Sequence, residues 1–203
     1  MKIAVAGASG RAGSCITAEL ARRGHAVTAI ARHPENIAAQ PNVTAREGDV
    51  LDQAGLARLW AGHDAAVSSV HFLASDPEKL IGAAKDSKVG RYLVVGGAGS
   101  LEVAPGVRLV ATPSFPAQYK AEAEKGAVFL DLLAREKELN WTFLSPSALF
   151  VEGERTAKFR LGTDQLLTTA DGKSWISFED FAVALADEIE RPAHIRQRFT
   201  VGY

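Results

Sequence analysis

Apolar residues in this chain come in short unbroken runs, separated by stretches in which they recur every three or four positions. Ile3-Ala-Val-Ala6, within the run Lys2–Ala6, reads as a buried parallel strand, and Cys15, Ile16, Leu20 and Ala21 then fall at helical intervals. Ala26-Val-Thr-Ala-Ile-Ala31 predicts a second strand, and Asn42-Val-Thr-Ala-Arg-Glu47 a third that ends in the turn Gly48-Asp49. Leu56, Leu59 and Trp60 share a helical face ahead of a fourth strand, Asp64-Ala-Ala-Val-Ser-Ser69. Leu80, Ile81 and Ala84 mark the next helix and Arg91-Tyr-Leu-Val-Val-Gly96 a fifth strand. The mixed charged and apolar segment from Ala117 to Glu138 places Val128, Leu132 and Leu133 on one face, and Asn140-Trp-Thr-Phe-Leu144 is a sixth strand running on to Pro146. Strands that alternate with helices predict an α/β fold, a doubly wound parallel sheet covered on both faces.

After about residue 147 the pattern changes to two short β-like runs, Gln165–Thr169 and Trp175–Ser177, a helix Phe178–Glu190 and a closing strand Phe199–Val201. This is a small C-terminal elaboration on what reads as a single domain, 1–203. Phe150, Phe159 and their neighbours are expected either to wall a substrate pocket there or to cap the fold.

The junction of the first strand and helix carries Gly7-Ala-Ser-Gly10-Arg-Ala-Gly13. In that position Gly7 allows a sharp turn, Gly10 lets the backbone approach a pyrophosphate and Gly13 lets the helix pack against the strand. The free amides of the helix start, with Ser9, Arg11 and Ala12 around them, would face the anion. A dinucleotide site follows. The second strand ends Ala31-Arg32-His33, with no carboxylate for a ribose 2′-hydroxyl, and the Arg32 guanidinium suits a 2′-phosphate, with Arg11 as a second cation. NADP(H) is therefore expected over NAD(H). Asp49 and Val50 lie where an adenine would sit, Asp52 as a helix cap, and Ser68 and Ser69 where the inner ribose would run.

Composition narrows the partners. A net charge of −1 over 203 residues leaves no cationic field for nucleic acid. No apolar run reaches the length of a membrane span, and the first one is too short for a signal peptide, so a cytoplasmic protein is expected. The one cysteine, Cys15, reads as a small core residue. Glu179-Asp180 after Ser177 is explained by helix capping. No metal-ligand spacing, Gly-x-Ser-x-Gly elbow or NTPase loop is present.

Gly7-x-x-Gly10-x-x-Gly13, Gly48-Asp49-x-x-Asp52 and Lys120…Glu124 occur together in this order. With them the chain resembles the atypical short-chain dehydrogenase/reductase superfamily, on its NmrA-like side. Val95-Gly-Gly-Ala-Gly-Ser-Leu-Glu-Val103, Thr112-Pro-Ser-Phe-Pro-Ala-Gln-Tyr-Lys120, Asn140-Trp-Thr-Phe-Leu-Ser-Pro146 and Arg196-Gln-Arg-Phe-Thr-Val-Gly-Tyr203 are similar to a bacterial family described as NADH-flavin reductases. The resemblance spans essentially the whole chain. It implies an NAD(P)-binding Rossmann fold, with Lys120 at the position of the superfamily's catalytic lysine, able to hydrogen-bond the nicotinamide ribose; Pro146 is expected among the cofactor-binding residues.

The superfamily's tyrosine, four residues before that lysine, is replaced by Pro116, and the serine usual at the end of the fifth strand is absent. Tyr119 is adjacent to Lys120, so the two side chains diverge by about 100° on a helix. The incomplete relay turns the expectation from ketone reduction toward hydride transfer to a planar acceptor, a flavin or quinone. Such transfer needs mainly stacking and orientation. Phe72, Phe115, Tyr119 and Phe150 are available to line that site, and His71 to donate to a bound ring. The alternatives are a redox sensor that binds NAD(P) without turnover and, further off, an epimerase or dehydratase. A monomer or homodimer is expected.

Overall fold

The computed structural model describes residues 1–203. Its first strand, β1 (Lys2–Ala6), shows why the apolar runs lack alternation. Ile3 and Val5 enter one hydrophobic cluster, Ala4 and Ala6 enter another on the opposite side, and all four are buried. A strand covered on both faces has no polar side to keep.

The order continues with α1 (Arg11–Arg22), β2 (Ala26–Ala31), β3 (Val43–Glu47), α2 (Gln53–Trp60), β4 (Ala65–Ser68), α3 (Pro77–Ser87) and β5 (Arg91–Val95). A short hairpin, β6 (Glu102–Ala104) and β7 (Val107–Arg108), precedes α4 (Ala117–Arg135) and β8 (Trp141–Pro146). β9 (Leu149–Val151), β10 (Arg160–Gly162), β11 (Trp175–Ser177), α5 (Phe178–Glu190) and β12 (Gln197–Gly202) complete the chain.

Eight strands form one sheet in the order β10-β12-β8-β5-β4-β1-β2-β3, parallel except for β10, which runs antiparallel to β12. This is the doubly wound architecture expected. The chain moves outward from β1 through β2 to β3, then crosses back to β4 on the other flank of β1, so the winding reverses between β1 and β4. Ile16 and Leu20 of α1 pack with Phe181 and Leu185 of α5 on one face. Leu56 and Trp60 of α2, Leu80 of α3, and Phe129 and Leu133 of α4 cover the other.

Three details depart from the pattern reading. Gln165–Thr169 forms no strand. Gln165 makes one isolated bridge to Glu102, and the amides of Leu166 and Thr169 bond to the carbonyls of Glu102 and Lys173 instead. The buried stripe of α4 is Gly126, Ala127, Phe129, Leu130 and Leu133, with Val128 on the solvent side. The closing strand is six residues long and lies within the main sheet beside β8.

Buried charges tie the C-terminal region to the rest. Glu19 of α1 is almost fully buried and accepts hydrogen bonds from Arg22, Arg23 and Arg155. Burial works to raise its pKa, and the three guanidinium groups outweigh it, holding the carboxyl well below the usual carboxylate range. A depressed folded-state pKa adds stability that is present above the unfolded value of about 4.3 and is lost as pH falls toward the folded one. Glu19→Gln is therefore expected to melt below wild type at pH 7, with the gap narrowing from about pH 5 downward. Melting curves from pH 7 to pH 3 check this, and a constant gap would contradict it.

Candidate functional site

The glycine loop occupies the reversal between β1 and β4. Gly7 has φ 81°, donates its N–H to the Ile30 carbonyl at 2.9 Å, and a Cβ there would lie 2.0 Å from the Ser69 carbonyl oxygen. Only glycine fits, because both the left-handed backbone and the approach of the β4 loop exclude a side chain. At Gly13 a Cβ would stand 2.1 Å from the Gly7 carbonyl oxygen, so this position sets how closely α1 approaches the strand end. Gly10 differs: its nearest neighbour would be the Gly7 oxygen at 3.3 Å, leaving room on the outer side of the loop.

Gly10 is the N-cap of α1, with no side chain capping the helix and no acidic residue in its first turn. The amides of Arg11, Ala12 and Gly13 precede the first intrahelical bond, and that of Ser14 is the first turned inward, to the Gly10 carbonyl at 2.8 Å. Unpaired amides at the positive end of a helix dipole can form an anion cradle. Ser9, Gly10 and Arg11 are exposed at its rim and Ala12 is half-buried.

Arg32 is exposed directly after β2. Arg11, in the glycine loop, and Arg32, directly after β2, form no ion pair, as is also true of Arg46, Arg58, Arg135, Arg160 and Arg196, so what sets the two apart is their position next to β1 and its loop. The nearby carboxylates are Glu35, occupied by His33 at 3.2 Å, and Glu47 at the end of β3. Asp49 turns the chain by accepting from the Leu51 amide at 2.9 Å and lines a cleft of about 310 Å³ with Glu47, Asp52 and Arg58. Val50 is half-buried against the core, and Asp52 caps α2 by accepting from the Gly55 amide, as expected.

The two serines after β4 separate. The Ser68 hydroxyl is buried and 2.9 Å from the Tyr92 hydroxyl, which burial keeps protonated to high pH, so it faces the core and not a ribose. Ser69 is half-buried, with its amide on the Ala6 carbonyl and its own carbonyl against Gly7. Pro146 is buried at the end of β8, level with Val201.

Over β4 and β5 stands the N-terminal half of α4. Ala123 meets Gly99 after β5, and Gly126 lies against the ring of Phe72 after β4, where a Cβ on Gly126 would come within 2.6 Å. Tyr119 is seven residues before Gly126, about 20° from it around the axis. It therefore continues the buried stripe beyond the point where anything covers it, and it is 61% exposed. Lys120 is turned away by about 100°. Its Nζ lies 4.0 Å from Glu124 and its side chain is 56% exposed. Measured against the packed face of α4 rather than against Lys120, Tyr119 is the residue that looks over the sheet edge.

The other aromatics are largely committed to packing. Phe72 meets Phe129 edge-on at 6.3 Å, and Phe150 lies between Phe178 and Phe181 at 4.5 and 4.7 Å. Phe150 and the half-buried Phe159 pack on the core rather than walling a pocket, and it is Leu149, Val151 and Trp175 that face outward. Phe115 is half-buried just ahead of α4. Cys15 behaves as anticipated: burial and the nearby Glu179 carboxylate push its thiol up to about 11.

Two acidic residues do more than the sequence indicates. Asp180 is fully buried and accepts from the amides of Thr156 and Ala157 and from the hydroxyls of Thr156 and Tyr203, fastening the segment after β9 to α5. Glu122 accepts from the amides of Phe72 and Leu73 at 2.7 and 2.9 Å, joining α4 to the loop after β4. Its place one helical turn from Tyr119 is the only hint in the sequence.

The family model for NAD(P)H-binding proteins matches residues 7–192, from the first glycine of the cradle to the end of α5. The chain belongs to the NAD(P)H-binding family. Solved structures agree along its whole length. A protein from Burkholderia pseudomallei named as exported is 43% identical, with all of both chains covered and a TM-score of 0.91. One from Bacteroides thetaiotaomicron named as an epimerase is 38% identical over 100% of this chain and 96% of the other, TM-score 0.95. A third, from Streptococcus pneumoniae and named as an NADH-flavin reductase, is 36% identical over 100% and 99%, TM-score 0.84. All three names are provisional assignments, and they differ, whereas the NAD(P)H-binding fold beneath them is shared. No helix of this family member is long and apolar enough to cross a membrane.

Proposed function

We propose that this NAD(P)H-binding protein is a reductase that prefers NADPH and passes hydride to a flavin, quinone or similar planar acceptor. The observation that carries the cofactor preference is position: Arg32 is exposed directly after β2, and Arg11 is exposed in the uncapped start of α1. Gly7, Ser9, Gly10, Arg11, Ala12 and Gly13 would hold the pyrophosphate, Arg32 the 2′-phosphate, and Asp49 and Val50 the adenine. Ser69, Lys120 and Pro146 would hold the nicotinamide half, and Tyr119 would close over it. Reduced nicotinamide, when bound, supplies the hydride. The protein's part is to orient the two rings and keep water out.

The acceptor follows from what the site lacks. Pro116 stands where a carbonyl-reducing relative has its tyrosine, and Lys120 contacts Glu124 rather than a phenol. That also argues against reading the Bacteroides protein's epimerase name onto this chain, since epimerisation needs a proton-transfer pair. The same gap supports a second reading, a redox sensor that binds NADP without turnover. NADPH oxidation in the presence of FMN or a benzoquinone separates the two, with steady turnover expected.

Arg32→Glu is expected to weaken NADPH binding by one to two orders of magnitude and to leave NADH within a few-fold. Fluorescence titration of both cofactors reads this directly, and equal losses would refute the role of Arg32.

A further inference from the structure

The His71 side chain is 89% exposed, but its backbone is fixed and its ring lies beside a carboxylate. Its carbonyl accepts from the Ala74 amide at 3.1 Å and from the Ser75 hydroxyl at 2.9 Å, as the chain enters the single turn Phe72–Ala74. Its ring Nδ1 lies 3.4 Å from Glu122 Oε1. Glu122 in turn is no free surface carboxylate, being 29% exposed and clamped by the Phe72 and Leu73 amides. An exposed pair of mobile side chains contributes little. Here the carboxylate is preset by the Phe72 and Leu73 amides and stands beside the Nδ1 edge of the imidazole, with Nε2 on the opposite edge.

The place matters as much as the geometry. The loop carrying His71 leaves β4, the strand next to β1 and its anion cradle. Glu122 sits in the α4 stripe between Gly126, packed on Phe72, and Tyr119, which overhangs the sheet edge. His71, against Glu122, and Tyr119, one helical turn before Glu122, are thus both exposed on the same side of α4, beyond the end of β4. Lys120 is turned toward Glu124 and away from Tyr119. Histidine is the side chain that ordinarily holds and releases a proton near neutral pH.

We propose that His71 is the proton donor to the acceptor and that Glu122 is its positioning residue, an inference that rests on the reductase reading. Hydride brings two electrons to one ring atom of the flavin or quinone and forms a new bond to hydrogen there. The displaced electron pair moves to a ring nitrogen or oxygen, and that atom takes the proton from Nε2 as the Nε2–H bond breaks. The neutral imidazole left behind keeps its Nδ1 proton toward Glu122 and regains the other from solvent. In sum, reduced nicotinamide, acceptor and one proton give oxidised nicotinamide and the dihydro acceptor.

The test uses His71→Ala and Glu122→Gln in the full chain with a benzoquinone as acceptor. His71→Ala is expected to lower kcat about 100-fold, to bind NADPH as wild type does, and to recover part of its rate with added imidazole. Glu122→Gln is expected to lower kcat about tenfold. In ¹⁵N spectra of the cofactor-free protein it should move the neutral His71 ring from the Nδ1-protonated to the Nε2-protonated form, a change no loss of turnover can mimic. Wild-type kcat in His71→Ala, or an unchanged ring tautomer in Glu122→Gln, overturns the proposal. Absence of quinone and flavin turnover in the wild type overturns the reductase reading itself, and the proposal with it.

Discussion

Gly13→Ala will lose dinucleotide binding and melt well below the wild type, whereas Gly10→Ala will lose binding and keep its melting temperature. The difference comes from what each new methyl would meet. At residue 13 it would lie 2.1 Å from the Gly7 carbonyl oxygen and 2.9 Å from the Gly7 carbonyl carbon, both main-chain atoms that cannot swing aside. Relief requires α1 to move off the end of β1, a displacement worth about 1–3 kcal/mol that also pulls the first-turn amides out of register with an anion. At residue 10 the methyl meets one atom at 3.3 Å and otherwise enters open space, where the proposed phosphate would lie. Thermal melts paired with NADPH titration separate the roles. A Gly13→Ala protein that binds NADPH normally would remove the cradle from the site.

The second large effect lies away from the cofactor. Arg91 of β5 is buried and donates to Thr142 at 2.9 Å and Glu188 at 3.0 Å, and its Nε and second terminal nitrogen are buried with no partner. Glu188 also accepts from the amides of Ala193 and His194 and from the His194 ring. Burial works to raise the Glu188 pKa, and these donors outweigh it and hold the carboxyl below its ordinary value. Glu188→Ala therefore leaves a buried guanidinium with one neutral partner, at an expected loss of 3 to 5 kcal/mol, roughly, in urea unfolding. The double variant Arg91→Met, Glu188→Leu removes both charges and is expected to recover most of that loss. If the double variant is no better than the single one, the buried charge is not the cause.

The parts of the fold visible in the sequence are those governed by burial on two faces. β2 and α5 have the limits their apolar patterns indicate, Ala26–Ala31 and Phe178–Glu190. The C-terminal strands were harder to read because three-residue pieces such as β9 and β10 carry no period. Gln165–Thr169 has a strand's composition but no neighbouring strand to pair with along its length.

In the site, the glycines were legible because turn geometry demands them. The direction of Tyr119 relative to the fold is read from Gly126 and Leu130 further along the buried face of α4, which its spacing from Lys120 alone does not give. Ser68 lies in a strand buried on both faces and its hydroxyl meets Tyr92, while alternation along β9 turns Phe150 onto the core. The Glu122 clamp joins residues 50 positions apart, a contact that no local pattern encodes.

The pairing of α1 with α5 has a consequence for how the chain folds. Cys15 and Glu179 touch across 164 positions of sequence, as do Arg23 and Asp187. Ile16 and Leu20 therefore stay without their α5 partners until almost the whole chain has been gathered, and closing so long a loop makes the search for the native topology slow. In that interval the apolar side of α1 is open to other molecules, so refolding yield should fall as protein concentration rises.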